Sequence, residues 1–290
     1  DYKHDLKVTR TGRGLDFLYK QNTDDHLFSL TYHFPVGSEN DKRYEMADSY
    51  LSYVGTDKLS NEEINQRFYK LACNYDISVD GNSIDITLTG LSSFMNDAVE
   101  LLEQVLTQAK ADTSSYRKFV DLVLKNRADS KTNQRLNFSA LQAYGMYGSY
   151  NQLLNDMSET ELRSADPQAL LNLLSQLKNY KHTLLYYGPE SLKNVNKLVS
   201  RVHVTPKTFT AIPAGKPYLH QPTTANEVWL APYDAKNIYM QMYHCAGKSW
   251  GPAQAPVSAL FNGYFGGGMN TVVFQELREA RGLAYSASAY

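Results

Sequence analysis

The stretch FNGYFGGGMNTVVFQELREARGLAYSASAY, from Phe261 to Tyr290, constrains the fold more than any other part of the chain. Three consecutive glycines, Gly266, Gly267 and Gly268, make a loop that accepts positive φ and admits a second backbone at close range, because no Cβ stands in the way. Asn270 is placed to cap a helix. Val273, Phe274 and Leu277 then recur at helical spacing, so one stripe faces a core while Gln275, Arg278 and Glu279 lie on other faces. Gly282 ends that helix, and Leu283 to Ser288 reads as a strand. Arg278 and Tyr285 flank the helix-to-strand turn, within reach of one spot. Taken alone, Arg278 reads equally as a surface residue in an i,i+4 ion pair, Tyr285 as a half-buried strand residue, and the loop as a turn between packed helices.

Upstream, Leu27 to Val36 alternates around Phe28, Leu30, Tyr32 and Phe34, the pattern of a half-buried strand. A helix follows from about Tyr44 to Tyr53, then the turn Gly55-Thr56. Ser60 and Glu63 form a capping box for a helix whose inner face carries Ile64, Phe68, Leu71 and Ala72. Asp80-Gly81-Asn82 sits between two short strands as a hairpin turn. Leu91, Phe94, Ala98, Leu101, Leu102, Val105 and Leu106 mark an amphipathic helix. Further helices are predicted at 115–130, at 138–148 and after Asp166-Pro167, where Asp caps and Pro takes the first position. A strand at 182–188 and a helix at 190–201 complete the first α+β domain, residues 1–203.

Residues 204–226 carry Pro206, Pro213, Pro217 and Pro222 with little periodicity, which reads as a linker. Residues 227–290 look like a second copy. Tyr32 matches Tyr243 (243 − 32 = 211), Asn61 matches Asn270 (270 − 61 = 209), and Tyr75 matches Tyr285 (285 − 75 = 210). One nearly constant offset implies a duplicated domain. Because the first copy runs far beyond Tyr75, the second is expected to be incomplete, the chain being a piece of a longer polypeptide.

At 290 residues and a net charge of −1 there is room for two cores but no electrostatic case for nucleic acid or an anionic membrane surface. No apolar run approaches the ~18 residues of a membrane span. The two cysteines, Cys73 in an expected helix and Cys245 at the end of an expected strand, make no disulfide framework and read as small buried hydrophobes. The seven histidines, His4, His26, His33, His182, His203, His220 and His244, lack a His, Cys or carboxylate at metal-helix spacing and read as core or solvated residues.

The order glycine-rich loop, Phe-Gln-Glu-Leu-Arg-Glu helix and Arg-Gly-Leu-Ala-Tyr strand closely resembles the second domain of a half-molecule in the pitrilysin/insulinase family of zinc metallopeptidases, the inverzincins, of the mitochondrial processing peptidase type found in bacterial proteases. The resemblance implies an α+β fold of two similar domains, each an antiparallel-rich sheet with helices mainly on one face, the second truncated here. In that family the half without zinc supplies an Arg and a Tyr seven positions apart, and Arg278 and Tyr285 match (285 − 278 = 7). Arg278 would donate to a substrate carbonyl and Tyr285 to the oxyanion developing at the scissile carbonyl, a contribution of ~3 kcal/mol or more for such a donor. Arg281 ranks second, since its spacing to Tyr285 is four (285 − 281 = 4). Phe265, Gly266, Gly267, Gly268, Met269 and Asn270 would contact the peptide substrate.

In a catalytic half, the helix before the Gly-Thr turn carries His-x-x-E-His; here the corresponding positions hold Met46, Ser49 and Tyr50. Met is a poor zinc ligand, Ser is no base near neutral pH, and Tyr would have to lose a proton near pH 10. No Glu occurs between Glu103 and Glu159, where a third ligand would fall. The joint absence implies a non-catalytic half that binds no cofactor itself, with zinc in a partner half of the same polypeptide or a separate subunit. The alternative is an inactive scaffold or assembly protein of the same fold. The family's habits place such a chain in the bacterial periplasm or cell envelope rather than the cytoplasm.

Overall fold

Alternation in Leu27–Phe34 builds the centre of the sheet. In the computed structural model, which describes residues 6–247 and 250–290, this strand (β3) buries Phe28, Leu30, Tyr32 and Phe34 on one face and turns Ser29, Thr31 and His33 to the other. It lies in a six-stranded sheet of order β1-β2-β8-β3-β6-β5, with β1 Lys7–Arg10, β2 Asp16–Gln21, β5 Cys73–Val79, β6 Ile84–Leu91 and β8 Thr183–Gly188. Every pairing is antiparallel except β2 with β8. Register places Leu30 opposite Leu88 and Tyr32 opposite Ile86 on the buried face. On the other face Thr31 faces Thr87, their hydroxyls 2.9 Å apart, and His33 Nδ1 lies 2.7 Å from Asp85 Oδ1. One face is apolar and covered, the other polar and open, as an antiparallel sheet permits.

Helices cover the apolar face. Helix α1 (Arg43–Leu51) buries Tyr44, Met46, Ala47, Tyr50 and Leu51. A tiny two-stranded sheet of β4 (Gly55–Thr56) and β7 (Ala109–Lys110) brackets α2 (Asn61–Lys70) and α3 (Met95–Gln108). The expected capping box on α2 is formed: Glu63 N donates to Ser60 Oγ at 3.2 Å and Ser60 N donates to the Glu63 carboxylate at 2.7 Å, together with a cap worth about 1 kcal/mol. Helices α4 (Thr113–Ser130), α5 (Gln134–Tyr147), α6 (Glu159–Ser164), α7 (Pro167–Gln176) and α8 (Leu192–Val202) are each capped at the N-terminus by a side-chain oxygen, from Asp112, Asn133, Ser158, Asp166 and Ser191.

Several details depart from the sequence reading. Cys73 opens β5 instead of lying in a helix, because α2 ends at Lys70 and Ala72 turns the chain with φ 48°. Ala72 is therefore exposed and no part of the inner face. Strands β1 and β2 and helix α6 were not anticipated.

The chain divides into two units, one comprising residues up to His220 with Glu227–Met242, the other Gln221–Asn226 with Tyr243–Tyr290. Within the first, part of the proline-rich segment is held against the domain: Phe209 and Ile212 pack on the core, Asn40 Nδ2 donates to Pro213 O at 2.7 Å, and Tyr218 N donates to Glu39 Oε1 at 2.8 Å. Residues 227–242 lie along α5, with Trp229 against Tyr144 and Tyr239 against Phe138.

The second unit contains α9 (Ala255–Phe261), a wide turn at Asn262–Gly266, a glycine loop, α10 (Val272–Phe274) and a second wide turn at Gln275–Glu279. Among the described residues it has no strand. The expected strands at Leu283 to Ser288 and before Cys245 form no ladder, and the chain bends at Tyr285–Ser286; alternation makes a strand only where a neighbouring backbone takes up its hydrogen bonds. The duplication implied by the offsets is accordingly not confirmed.

Candidate functional site

Gly282 ends the helical segment as expected, with φ 59°, its N–H bonded to Arg278 O at 3.0 Å and Leu283 N bonded to Leu277 O at 2.9 Å. That turn folds Tyr285 back over the helix. The Arg278 guanidinium carbon lies 4.5 Å from the Tyr285 ring centroid and 4.8 Å from that of Phe274, one turn earlier. Arg278 is thus held between two aromatic faces, each contact worth about 0.5–1 kcal/mol at a surface site. The sequence placed Phe274 and Arg278 on different faces; at i,i+4 they stack. Tyr285 is 85% exposed, so its hydroxyl is free to meet a partner. Arg278 Nε lies 3.5 Å from Glu279 Oε1, a weak ion pair. Arg281 instead pairs with Glu276 at 3.3 Å and is not in the stack.

The glycine loop differs from its expected backbone. None of Gly266, Gly267 and Gly268 adopts positive φ. What Gly266 supplies is close approach: a Cβ there would stand 2.3 Å from Ala289 N, and that amide donates to Gly266 O at 3.2 Å. Gly267 N donates to Asn262 O at 2.6 Å, closing the wide turn. Asn270 is exposed and is not the cap; Thr271 holds that position, without a side-chain cap, its hydroxyl donating to Gly268 O at 2.6 Å. Met269 is 71% exposed and its carbonyl accepts from Gln275 Nε2 at 2.8 Å. Phe265 stacks on Phe261 at 5.1 Å. The loop therefore presents Met269 and Asn270 outward on a frame fixed by Gly266, Gly267 and Thr271. His4, Lys248 and Ser249 lie outside the described residues.

The zinc-helix positions sit on α1 in the first unit and do not fit a metal. Met46 and Tyr50 point into the core, and Ser49 is exposed. The Tyr50 hydroxyl donates to Asp112 O at 3.1 Å and accepts from Asp112 N at 3.2 Å, while its ring packs on Tyr116 and Phe119. Among the described residues no group of three or more His, Cys, Asp or Glu is arranged to hold a metal ion.

One buried polar cluster escaped the sequence reading. His182 Nε2 lies 2.9 Å from His203 Nε2, and His203 Nδ1 lies 2.6 Å from Glu103 Oε1. His182 Nδ1 is 2.8 Å from Tyr180 O, and since a carbonyl only accepts, that nitrogen carries the proton. Neutral His182 then accepts at Nε2 from His203 Nε2–H, and one further proton lies between His203 Nδ1 and Glu103. Burial first, and His203 second, push the His182 pKa down to about 3. The Tyr32 hydroxyl faces Glu103 without a hydrogen bond of normal geometry, and burial drives its pKa well up. No spacing signal links residues on three different elements.

Residues 181–290 match the family model described as the peptidase M16 inactive domain, a stretch that includes the glycine loop and the Arg278–Tyr285 stack. Over this stretch the chain is similar in sequence to the inactive domain of M16 peptidases. That agrees with the resemblance to the zinc-less half of an inverzincin. No curated protein matches the chain in sequence. Among solved structures, an M16 inactive domain from Pseudomonas fluorescens is similar with a TM-score of 0.69 at 17% identity, over 97% of this chain and 69% of its own. A protease from Helicobacter pylori gives 0.69 at 13% identity, over 98% and 71%. The periplasmic protease PqqL from Escherichia coli gives 0.61 at 13% identity, over 75% of this chain and 25% of its own. At these identities the likeness is one of fold. Among the described residues no helix is long and apolar enough to cross a membrane.

Proposed function

We propose that this chain is the zinc-less half of a two-half zinc metalloendopeptidase that degrades or processes peptides in an enclosed chamber. The carrying observation is the stack itself: Arg278 and Tyr285, far from random surface neighbours, meet at 4.5 Å with the tyrosine hydroxyl exposed. In this reading Arg278 donates to a backbone carbonyl of the bound peptide. Tyr285 donates to the oxyanion forming at the scissile carbonyl, which sits in the partner half. Phe265, the three glycines, Met269 and Asn270 line the substrate's path. Zinc and the water-activating glutamate belong to the partner, because Met46, Ser49 and Tyr50 offer neither ligand nor base. The domain plan in this reading is residues 1–203, a linker at 204–226 and an incomplete second copy at 227–290. Its compartment would be the bacterial periplasm or cell envelope.

The test is cleavage of a quenched fluorogenic peptide by this chain with a zinc-bearing half carrying His-x-x-E-His, encoded in the same polypeptide or beside it. The mixture should cleave and neither half alone should. Tyr285→Phe should lower kcat about a hundredfold, the order expected for one oxyanion donor. An inactive mixture, or an unaffected Tyr285→Phe, replaces this reading with an inactive scaffold of the same fold.

A further inference from the structure

The residue between helix and loop that the functional reading leaves unused is Phe274. It is half-buried, and the guanidinium of Arg278 lies over its ring at 4.8 Å as well as over that of Tyr285 at 4.5 Å. A guanidinium held between two rings keeps its N–H groups in the plane between them, where an acceptor approaches edge-on, and it loses freedom to swing about its long side chain. Tyr285, at a bend in a segment without ladder partners among the described residues, has Arg278 as its ring contact. The aim of the tyrosine hydroxyl thus depends on the arginine, and the aim of the arginine depends on the phenylalanine.

The geometry points to Phe274 as a positioning residue that sets Arg278 and Tyr285 as one unit, so that the carbonyl donor and the oxyanion donor move together. This rests on the reading of Arg278 and Tyr285 given above. Phe274 touches no substrate; it acts through Arg278. The arrangement explains why an 85% exposed tyrosine would be usable as a donor at all, since preorganisation and not mere presence sets a donor's value.

Two measurements separate the stack from the function. In the isolated chain, the Arg278 Nε–H NMR signal, assigned by its loss in Arg278→Lys, should be moved upfield by the two rings. Phe274→Leu and Tyr285→Leu should each return it toward an ordinary arginine position, while Phe274→Tyr and Tyr285→Phe should leave it displaced. In the peptidase mixture, Phe274→Leu should reduce kcat roughly ten- to a hundredfold with little change in KM, and Phe274→Tyr should recover most of it. An Arg278 signal unmoved by Phe274→Leu overturns the stack. A displaced signal together with undiminished kcat in Phe274→Leu overturns the positioning role, and a displaced signal in a wild-type mixture that never cleaves overturns the functional reading on which it rests.

Discussion

The buried histidine pair makes a quantitative prediction about stability. His182 is surrounded by Tyr180 O at Nδ1, His203 at Nε2 and the Phe34 ring, with Glu103 and Tyr32 beyond His203. A second proton on its ring would point at another nitrogen that already donates. Its pKa falls from 6.5 to about 3 on folding, so between those values the unfolded chain holds a proton that the folded chain does not. Stability therefore rises with pH through this window and is lost on acidification. At about pH 5 the unfolded residue is some thirtyfold more protonated than deprotonated, which costs the folded state about 2 kcal/mol relative to pH 7.5. Asp48 works in the opposite sense. Burial first, and Asp76 second, raise its pKa from 3.8 to about 6, so the folded state binds that proton more readily and gains stability as the pH drops. The wild-type pH curve alone would thus understate the histidine. The informative quantity is the difference between wild type and His182→Asn, whose amide keeps one donor and one acceptor but does not titrate. Urea unfolding of the chain at pH 7.5 and pH 5 should show that difference shifting by about 2 kcal/mol against the wild type at the lower pH. A difference that stays constant with pH refutes the proton assignment.

Other consequences follow from single contacts. Tyr50→Phe removes the hydroxyl that both donates to and accepts from the Asp112 backbone and should cost about 1 kcal/mol in urea unfolding, with faster amide exchange in the first turn of α4. Gly266→Ala forces a methyl to within 2.3 Å of Ala289 N; the Ala289 amide should lose its bond to Gly266 O and exchange faster, and unchanged exchange would contradict the close approach. Asp48→Asn removes a carboxylate that is costly to keep ionised, so it should stabilise the chain at pH 7.5 and lose most of that gain near pH 4, where the folded wild-type group is already neutral.

Where an element is defined by its own residues, the sequence was readable. The period-two pattern of β3, the Ser60–Glu63 box and Asp166 before Pro167 each needed only neighbours in sequence. Helix α6 carries the same capping signature in Ser158 and Glu161, but at six residues amid polar chain it is too short to show a helical period. In β2 the buried Phe17 and Tyr19 alternate over only six residues, and β1 is shorter still. The Arg278–Tyr285 proximity is legible from their spacing around Gly282, but the contact of Phe274 with Arg278 is not, because a helical stripe of apolar residues implies a core-facing side. Glu103, His182 and His203 come from α3, the chain just before β8 and the end of α8, so only the packed fold brings them together.

Strand β8 occupies a position that bears on how the protein acquires its shape. It is inserted between β2 and β3, parallel to the first and antiparallel to the second, and pairs Thr183 with Asp16 across 167 residues (183 − 16 = 167). As the chain emerges from the ribosome, the β1–β2 hairpin and the three strands β3, β6 and β5 are complete long before the strand that joins them. Each waits with one open backbone edge facing the gap, a ready template for another chain. Closing such a long loop is slow, so synthesis up to residue 183 is the interval in which a holding chaperone would matter most.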